Sequence, residues 1–272
     1  MEHQQIPVTL RQILTIDKPF WSIEANFSKH AGHVDDRAHV RLWAEFSVDS
    51  MDAICGALLD ELFPSTSIPF PNPRRYLENH CVREAADLDN MASWLQDMAA
   101  ATIPFVASKL RLPGSADLLY TSQPDLHWYG IEGEDGFKAL AVGFNCTDAG
   151  VFDFEAIRGG RGNEPWTCRQ LEQLRQMCMS YKTNYGFIIT ENQLVLVNRV
   201  PGQSNEGSLY GYRVMPVPLY GMGETGLTAE LGFGAFCTLA LVAEINRGRN
   251  AGLTSTDDDI DELIAQFESI LG

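Results

Sequence analysis

The order of apolar and polar positions along the chain predicts a strand-rich centre. Residues 116–122, 125–132 and 137–145 carry the short apolar or alternating patterns that are typical of strands. The glycine-containing stretch 133–136 is a turn signal that joins the last two strands as a hairpin. We therefore expect a three-stranded meander over residues 116–145.

Apolar residues at helical spacing lie on both sides of this meander. Before it, the pattern predicts a helix over residues 51–63, capped within residues 47–50, and a longer one over about 74–109 that is interrupted at Pro104. After it, we expect a helix over 167–182, strands over 185–190, 194–200 and 210–220, and helices over 229–246 and about 257–271. The coarse order is helices, a meander, a helix, further strands and a helix.

The chain is predicted to form one α/β domain. Its 272 residues suffice for one sizeable core, and no internal repeat or long linker divides them. We place an N-terminal extension at residues 1–73, the core at 74–245 and a C-terminal amphipathic helix at 246–272. The longest apolar run, 233–243, is too short to cross a bilayer, so no membrane association is expected.

Charge and cysteine content narrow the expected partners and compartment. The 20 basic and 36 acidic residues give a net charge of −16, which disfavours a nucleic-acid partner. Residues 156–213 are locally basic, with Arg158 and Arg175 among seven basic residues against four acidic ones. The six cysteines are scattered without a CxxC pair, which is typical of reduced thiols, so we expect a cytoplasmic protein.

Several short motifs in the predicted core carry a resemblance to a known family. QLRQMCMSYK at 173–182, followed by NYGFIIT at 184–190 and LVLVNR at 194–199, resembles a helix, a strand and its hairpin partner in fungal domains of the PD-(D/E)XK nuclease-like superfamily. The stretch 76–84, ending in Glu84, resembles the helix that carries the first acid of that family, and Pro124-Asp125 its Pro-Asp. The resemblance implies an α-βββ-α-β mixed sheet flanked by helices.

The same resemblance implies that this chain lacks the metal site of such a nuclease. Phe144 stands where the family has its second acid, and Cys146 stands where it has a lysine. A phenyl ring has no donor atom and a thiolate is a poor partner for Mg²⁺. We therefore predict no metal ion and no cofactor, although Glu84 and Asp125 remain as possible acids.

If apolar residues line the cleft in which such a nuclease holds its metal ion, the cleft suits a small organic ligand. The predicted function is a metal-independent enzyme of the cyclase, isomerase or lyase type, acting on an apolar metabolite, with natural-product biosynthesis as the context that fungal analogy suggests. Glu84, Asp125 and His127 are the candidate catalytic groups. The candidate substrate-binding residues are Trp128, Tyr129, Phe144, Cys146, Gln173 and Met177.

Two alternatives stay open at this point. A non-catalytic pseudonuclease would bind a protein or nucleic acid through the face formed by Arg158 to Arg175. A divergent Mg²⁺-dependent nuclease would require metal ligands that have moved to other positions in the sequence.

Overall fold

The computed structural model describes residues 7–15, 22–23, 39–64, 68, 81–82, 85–109, 118–123, 126–133, 136–146, 152–160, 165–201, 210–221, 226–250 and 265. In chain order the strands are β1 (Pro7–Thr9), β2 (Ser22–Ile23), β3 (His39–Leu42), β4 (Leu62–Pro64), β5 (Cys81–Val82), β6 (Leu118–Gln123), β7 (Leu126–Gly133), β8 (Gly136–Asn145), β9 (Tyr185–Ile189), β10 (Gln193–Pro201) and β11 (Tyr210–Pro218). The helices are α1 (Leu10–Leu14), α2 (Val48–Leu59), α3 (Asp89–Lys109), α4 (Phe154–Arg158), α5 (Pro165–Ser180) and α6 (Ala229–Asn250), with a 3-10 turn at Ala85–Leu88.

A mixed seven-stranded sheet organises the fold, with strand order β3-β11-β10-β9-β8-β7-β6. Strands β6, β7 and β8 form the predicted antiparallel meander. Strand β9 returns parallel to β8 after α4 and α5, and β10 and β11 continue antiparallel. The α/β class with a mixed sheet flanked by helices, expected from the sequence, is confirmed.

Helices cover both faces of this sheet. The inner face packs against α1, α2, α3 and α6, and its core includes Phe187 and Met215 from the strands. The outer face packs against α4 and α5, and its smaller core includes Phe144 and Ile188. Adjacent strand residues alternate between the two faces, as the pleat requires.

The residues before position 74 take part in the main sheet rather than only extending from it. Strand β3 pairs in parallel with β11 at the edge of the sheet. The predicted helix over 51–63 is wrong at its end, because α2 stops at Leu59 and residues 62–64 pair with β1 instead. Its predicted cap is confirmed, since the Ser47 side chain accepts from the Ser50 amide at 3.3 Å.

The helix predicted over 74–109 is shorter than expected. Residues 81–82 form a strand with β2, and α3 begins only at Asp89. The predicted interruption at Pro104 is also wrong, because α3 continues through that residue to Lys109. Proline removes one helical hydrogen bond, and burial of neighbours such as Ile103 and Ala107 outweighs that loss.

The remaining elements agree with the sequence to within a few residues, with two differences. The five-residue helix α4 was not predicted, and its cap is Asp153, whose carboxylate accepts from the Ala156 amide at 3.0 Å. Helix α6 runs to Asn250, so the predicted boundary at 245/246 falls inside a helix. The helix predicted near the C-terminus lies outside the described residues, except for Ala265.

Helix α6 belongs to the core of the fold. By length and composition alone its segment Ala229–Arg247 could span a membrane, but 72% of the apolar window is buried in the fold. Cys55, Cys146, Cys178 and Cys237 carry free thiols. The cytoplasmic location stays a prediction.

Candidate functional site

Three of the predicted site residues belong to β7. In the register with β8, His127 lies opposite Gly143, Trp128 opposite Val142, and Tyr129 opposite Ala141. Glu84 and Asp125 lie outside the described residues.

The structure places Phe144 and Cys146 on the outer face of the sheet. Phe144 is 2% exposed and Cys146 is 8% exposed, and both belong to the core beneath α5. Met177 is half-buried against the same core, whereas Gln173 is exposed on the surface of α5. The structure therefore brings Phe144, Cys146 and Met177 together and leaves Gln173 outside that group.

The metal that a PD-(D/E)XK nuclease would use does not fit these positions. Phe144 offers no donor atom, and the Cys146 side chain is enclosed among apolar groups. Within the described ranges, no three His, Cys, Asp or Glu side chains come together in a way that could hold a metal ion.

A polar pair that was not predicted lies where β8 ends. Asn145 Nδ2 donates a hydrogen bond of 2.6 Å to Asp89 Oδ1 at the start of α3. The Asn145 Oδ1 atom is buried and accepts no hydrogen bond from the part of the chain that the structure describes. This hydrogen bond fixes the first turn of α3 against the sheet. The only sign of it in the sequence is that a single polar residue, Asn145, follows the apolar stretch 139–144.

A second buried polar contact joins the two long helices of the inner face. The indole Nε1 of Trp94 on α3 donates to Glu230 Oε1 on α6 at 2.8 Å. Both side chains are almost fully buried. A hydrogen bond in such buried surroundings is electrostatically stronger than one at the surface, and it fixes the spacing of α3 and α6.

Farther along these helices, an apolar cavity opens between α1, α2, α3 and α6. Its empty volume is about 460 Å³, including the part that is open to solvent. Leucine, isoleucine, valine and methionine side chains form most of its wall. The half-buried Leu58, Val106 and Ala235 mark the side on which it meets solvent.

The polar groups of this cavity are few and uncharged. The hydroxyls of Thr102 and Thr238 donate to backbone carbonyls of their own helices, at 2.7 and 2.9 Å. The remaining polar group is the thiol of Cys55, and burial raises its pKa to about 11. The thiol is therefore protonated at neutral pH, and the cavity has the character of a site for an uncharged apolar molecule.

A glycine in α6 leaves much of this space open. A Cβ atom added to Gly234 would meet no atom within 4 Å. By contrast, a Cβ atom added to Gly232, one half-turn earlier, would contact Val217 and Leu196 of the sheet at 3.5 and 3.7 Å. A glycine inside a helix lowers helix stability relative to alanine and usually has a packing or functional reason. At Gly234 that reason is consistent with space kept open for a bound molecule.

Comparison with known proteins adds no relative: no family model, no curated protein and no solved structure matches this chain.

Proposed function

We propose that this protein binds an apolar small molecule in the cavity between α1, α2, α3 and α6, without a metal ion. The observation that carries the proposal is the open, uncharged wall at Gly234. The wall of the cavity is mostly apolar with a few fixed polar groups, which is the usual character of small-molecule sites. The expected class of ligand is the one that the sequence predicted, but the proposed place is a different one.

We also propose that the fold is a PD-(D/E)XK nuclease-like core that has been given a new use. In support, α3, the meander β6-β7-β8, helix α5 and strand β9 follow one another in the order that the resemblance implies, with β9 parallel to β8. Phe144 and Cys146 take the positions of an acid and a lysine, and they contribute to packing. Fold likeness alone carries no activity.

Conversion of the ligand by a cyclase, isomerase or lyase reaction stays a prediction. An acid–base step needs a titratable group within reach of the substrate. The cavity wall supplies only the protonated Cys55 thiol, and the predicted acids Glu84 and Asp125 lie outside the described residues. Binding is therefore the part of the proposal that the described residues support.

The charges on α4 and α5 give little support to the alternative of a pseudonuclease that binds nucleic acid. The guanidinium of Arg175 is paired with Glu172, and that of Arg158 lies 3.6 Å from Glu155. Each of these Arg–Glu pairs has no net charge, so it adds little positive potential that would attract a polyanion. Neither residue is therefore a strong phosphate anchor.

The test measures the melting temperature with uncharged apolar probes of increasing size: toluene, naphthalene and decanol. We expect at least one probe to stabilise the wild-type protein, by an amount that grows with its concentration. Gly234→Leu fills the cavity and should remove that stabilisation. Gly234→Ala and Gly232→Ala form a matched pair, because each adds one methyl group to α6, and only the first should weaken probe binding.

The Cys55 thiol gives an independent reading of occupancy. A bound probe should slow the alkylation of Cys55 by iodoacetamide at pH 8.5, as located by peptide mass spectrometry. Gly234→Leu should alkylate at the same rate with and without probe. If no probe raises the melting temperature, or if Gly234→Leu responds like the wild type, the cavity is not a ligand site.

A further inference from the structure

Two threonines line the apolar cavity, one on each of the long inner helices. Thr102 of α3 and Thr238 of α6 are only 1% and 5% exposed. The buried contact between Trp94 and Glu230 lies eight residues before them on the same two helices. The two threonines therefore occupy corresponding positions on α3 and α6, and their low exposure places them in the interior of the protein rather than at the mouth of the cavity.

The hydrogen atom of each threonine hydroxyl group is already engaged within the protein. Thr102 Oγ1 donates to the Met98 carbonyl at 2.7 Å, and Thr238 Oγ1 donates to the Gly234 carbonyl at 2.9 Å. A hydroxyl group has one hydrogen to donate and two lone pairs that can accept. Each threonine can therefore accept a hydrogen bond from a ligand, but it can donate one only by giving up the bond to its own helix.

The Thr238 hydroxyl group lies beside the open space at Gly234. Its oxygen is 2.9 Å from the carbonyl oxygen of that glycine. A Cβ atom added to Gly234 would meet no atom within 4 Å, so the space next to this part of α6 is empty of protein atoms. A ligand that fills the space at Gly234 therefore comes close to a hydrogen-bond acceptor.

The other described residues of the wall offer no charge and no strong hydrogen-bond donor. Their side chains are apolar except for the Cys55 thiol. A thiol is a weak donor, and burial raises the pKa of this one to about 11, so it is uncharged at neutral pH. A carbonyl or carboxylate group placed in such surroundings loses its hydrogen bonds to water without gaining equivalent ones, which costs free energy.

We propose that the apolar ligand of this cavity carries a hydroxyl group, as an alcohol or a phenol does, and that Thr102 and Thr238 select it by accepting its hydrogen. Such selection rests on the proposed function, because a ligand must first occupy the cavity. A ligand group that donates a hydrogen bond finds an acceptor on α3 or α6. A group that only accepts, such as a ketone or a carboxylate, finds its possible donors already in use.

The experiment compares octan-1-ol, octan-2-one and octanoate, which have the same number of carbon atoms, by calorimetry on the full chain at neutral pH. We expect octan-1-ol to bind more tightly than octan-2-one, and octanoate not to bind. The double variant Thr102→Val/Thr238→Val keeps two branched side chains and removes both oxygens. It should weaken binding of the alcohol about five- to tenfold, the effect of one net hydrogen bond, and leave binding of the ketone unchanged.

Two controls separate selection of the hydroxyl group from the shape of the cavity. Thr102→Ser and Thr238→Ser keep the oxygen and lose a methyl group, so both should retain the preference for the alcohol. Gly234→Leu should remove binding of alcohol and ketone alike. Comparing the change in alcohol binding with the change in ketone binding cancels the different hydration of the two free probes.

The outcomes distinguish this selection from binding itself. If the double valine variant weakens the alcohol and the ketone equally, or weakens neither, the threonines do not select a hydroxyl group. The proposed function would then still stand, because both probes bind. If neither octan-1-ol nor octan-2-one binds the wild type, the proposed function fails, and selection by the threonines fails with it.

Discussion

The two faces of the sheet differ in the polarity of their buried side chains. The outer face, under α4 and α5, is closed by apolar side chains such as Phe144, Phe152 and Leu171. The inner face has a larger apolar core, and it also holds Asn145, Asn198 and Arg213 on its strands. A nuclease-like alignment drew attention to Phe144 and Cys146 on the outer face, but the polar groups and the cavity lie on the inner one.

This difference shows why the positions marked by a short resemblance do not by themselves locate a site. Apolar residues at such positions can simply join the core, because burying them contributes roughly 25 cal/mol per Å² of apolar surface. In this protein the open space lies elsewhere, between the inner helices.

The largest effect is expected from a substitution that tests whether water is excluded from the core around Phe144. Phe144→Asp would bury an isolated carboxylate among apolar side chains, and we expect a loss of more than about 4 kcal/mol in the free energy of unfolding, or no folded protein at all. Chemical denaturation followed by circular dichroism measures it. Phe144→Leu is the control, with an expected loss of about 1–2 kcal/mol. A stable Phe144→Asp variant would mean that Phe144 borders an open cleft rather than a closed core, as its predicted substrate-binding role requires.

A smaller effect is expected from the polar contact between the inner helices. Glu230→Ala leaves the buried Trp94 N–H without this acceptor, which should lower the free energy of unfolding by about 2–3 kcal/mol. Glu230→Gln keeps an oxygen in place and should cost about 1 kcal/mol. Urea unfolding followed by Trp fluorescence compares the two variants. Equal losses would show that the contact with Trp94 is not what holds α3 to α6.

The smallest effect is expected at the solvent side of α5, beyond the outer core. Arg175 donates to Glu172 at 2.7 Å and lowers the pKa of that carboxyl group below its ordinary value of 4.5. A lowered pKa in the folded state stabilises the protein fully above about pH 4.5, and this contribution is lost as the pH falls through the folded-state pKa. Glu172→Gln should therefore cost about 0.3–0.5 kcal/mol at neutral pH and nothing at strongly acidic pH.

Thermal unfolding from pH 7 down to pH 2.5 measures this difference. Glu155→Gln is the matched control, because Glu155 and Arg158 have the same spacing but lie farther apart, at 3.6 Å, and are more exposed. The control should show a smaller dependence on pH. A constant difference between Glu172→Gln and the wild type over the whole range would contradict the pairing.

Much of the fold could be predicted from local patterns. The turn at 133–136 identified the β7–β8 hairpin, and the alternation around it gave both strands to within a residue or two. The start of α3 could not be found this way, because residues 81–82 pair with β2, a partner about sixty residues earlier in the chain. Strand β3 was missed for the same reason, since its partner β11 lies far away in sequence.

The candidate sites were harder to predict than the elements. The cavity is formed by four helices from four separate parts of the chain, so no local motif marks it. Gly234, a glycine within a helical pattern, was the one available sign. Which residues of β3, β11, β10 and β9 lie side by side depends on strand register, and register between distant strands is not written in any short stretch of sequence.

One irregularity in β8 has a consequence for how the chain tolerates changes in length. The pairing with β7 slips between Tyr129 and Gly130, so that Leu140 and Ala141, although adjacent, both lie in the inner core. The Thr183 hydroxyl donates a hydrogen bond to the Leu140 carbonyl at 2.5 Å. This backbone carbonyl, at the point where the register shifts, therefore has a hydrogen-bond partner. Beyond it, residues 141–145 keep their pairing with β9. Insertion or deletion of one residue in the hairpin end can thus be absorbed at this point, while the half of β8 that carries Asn145 keeps its orientation.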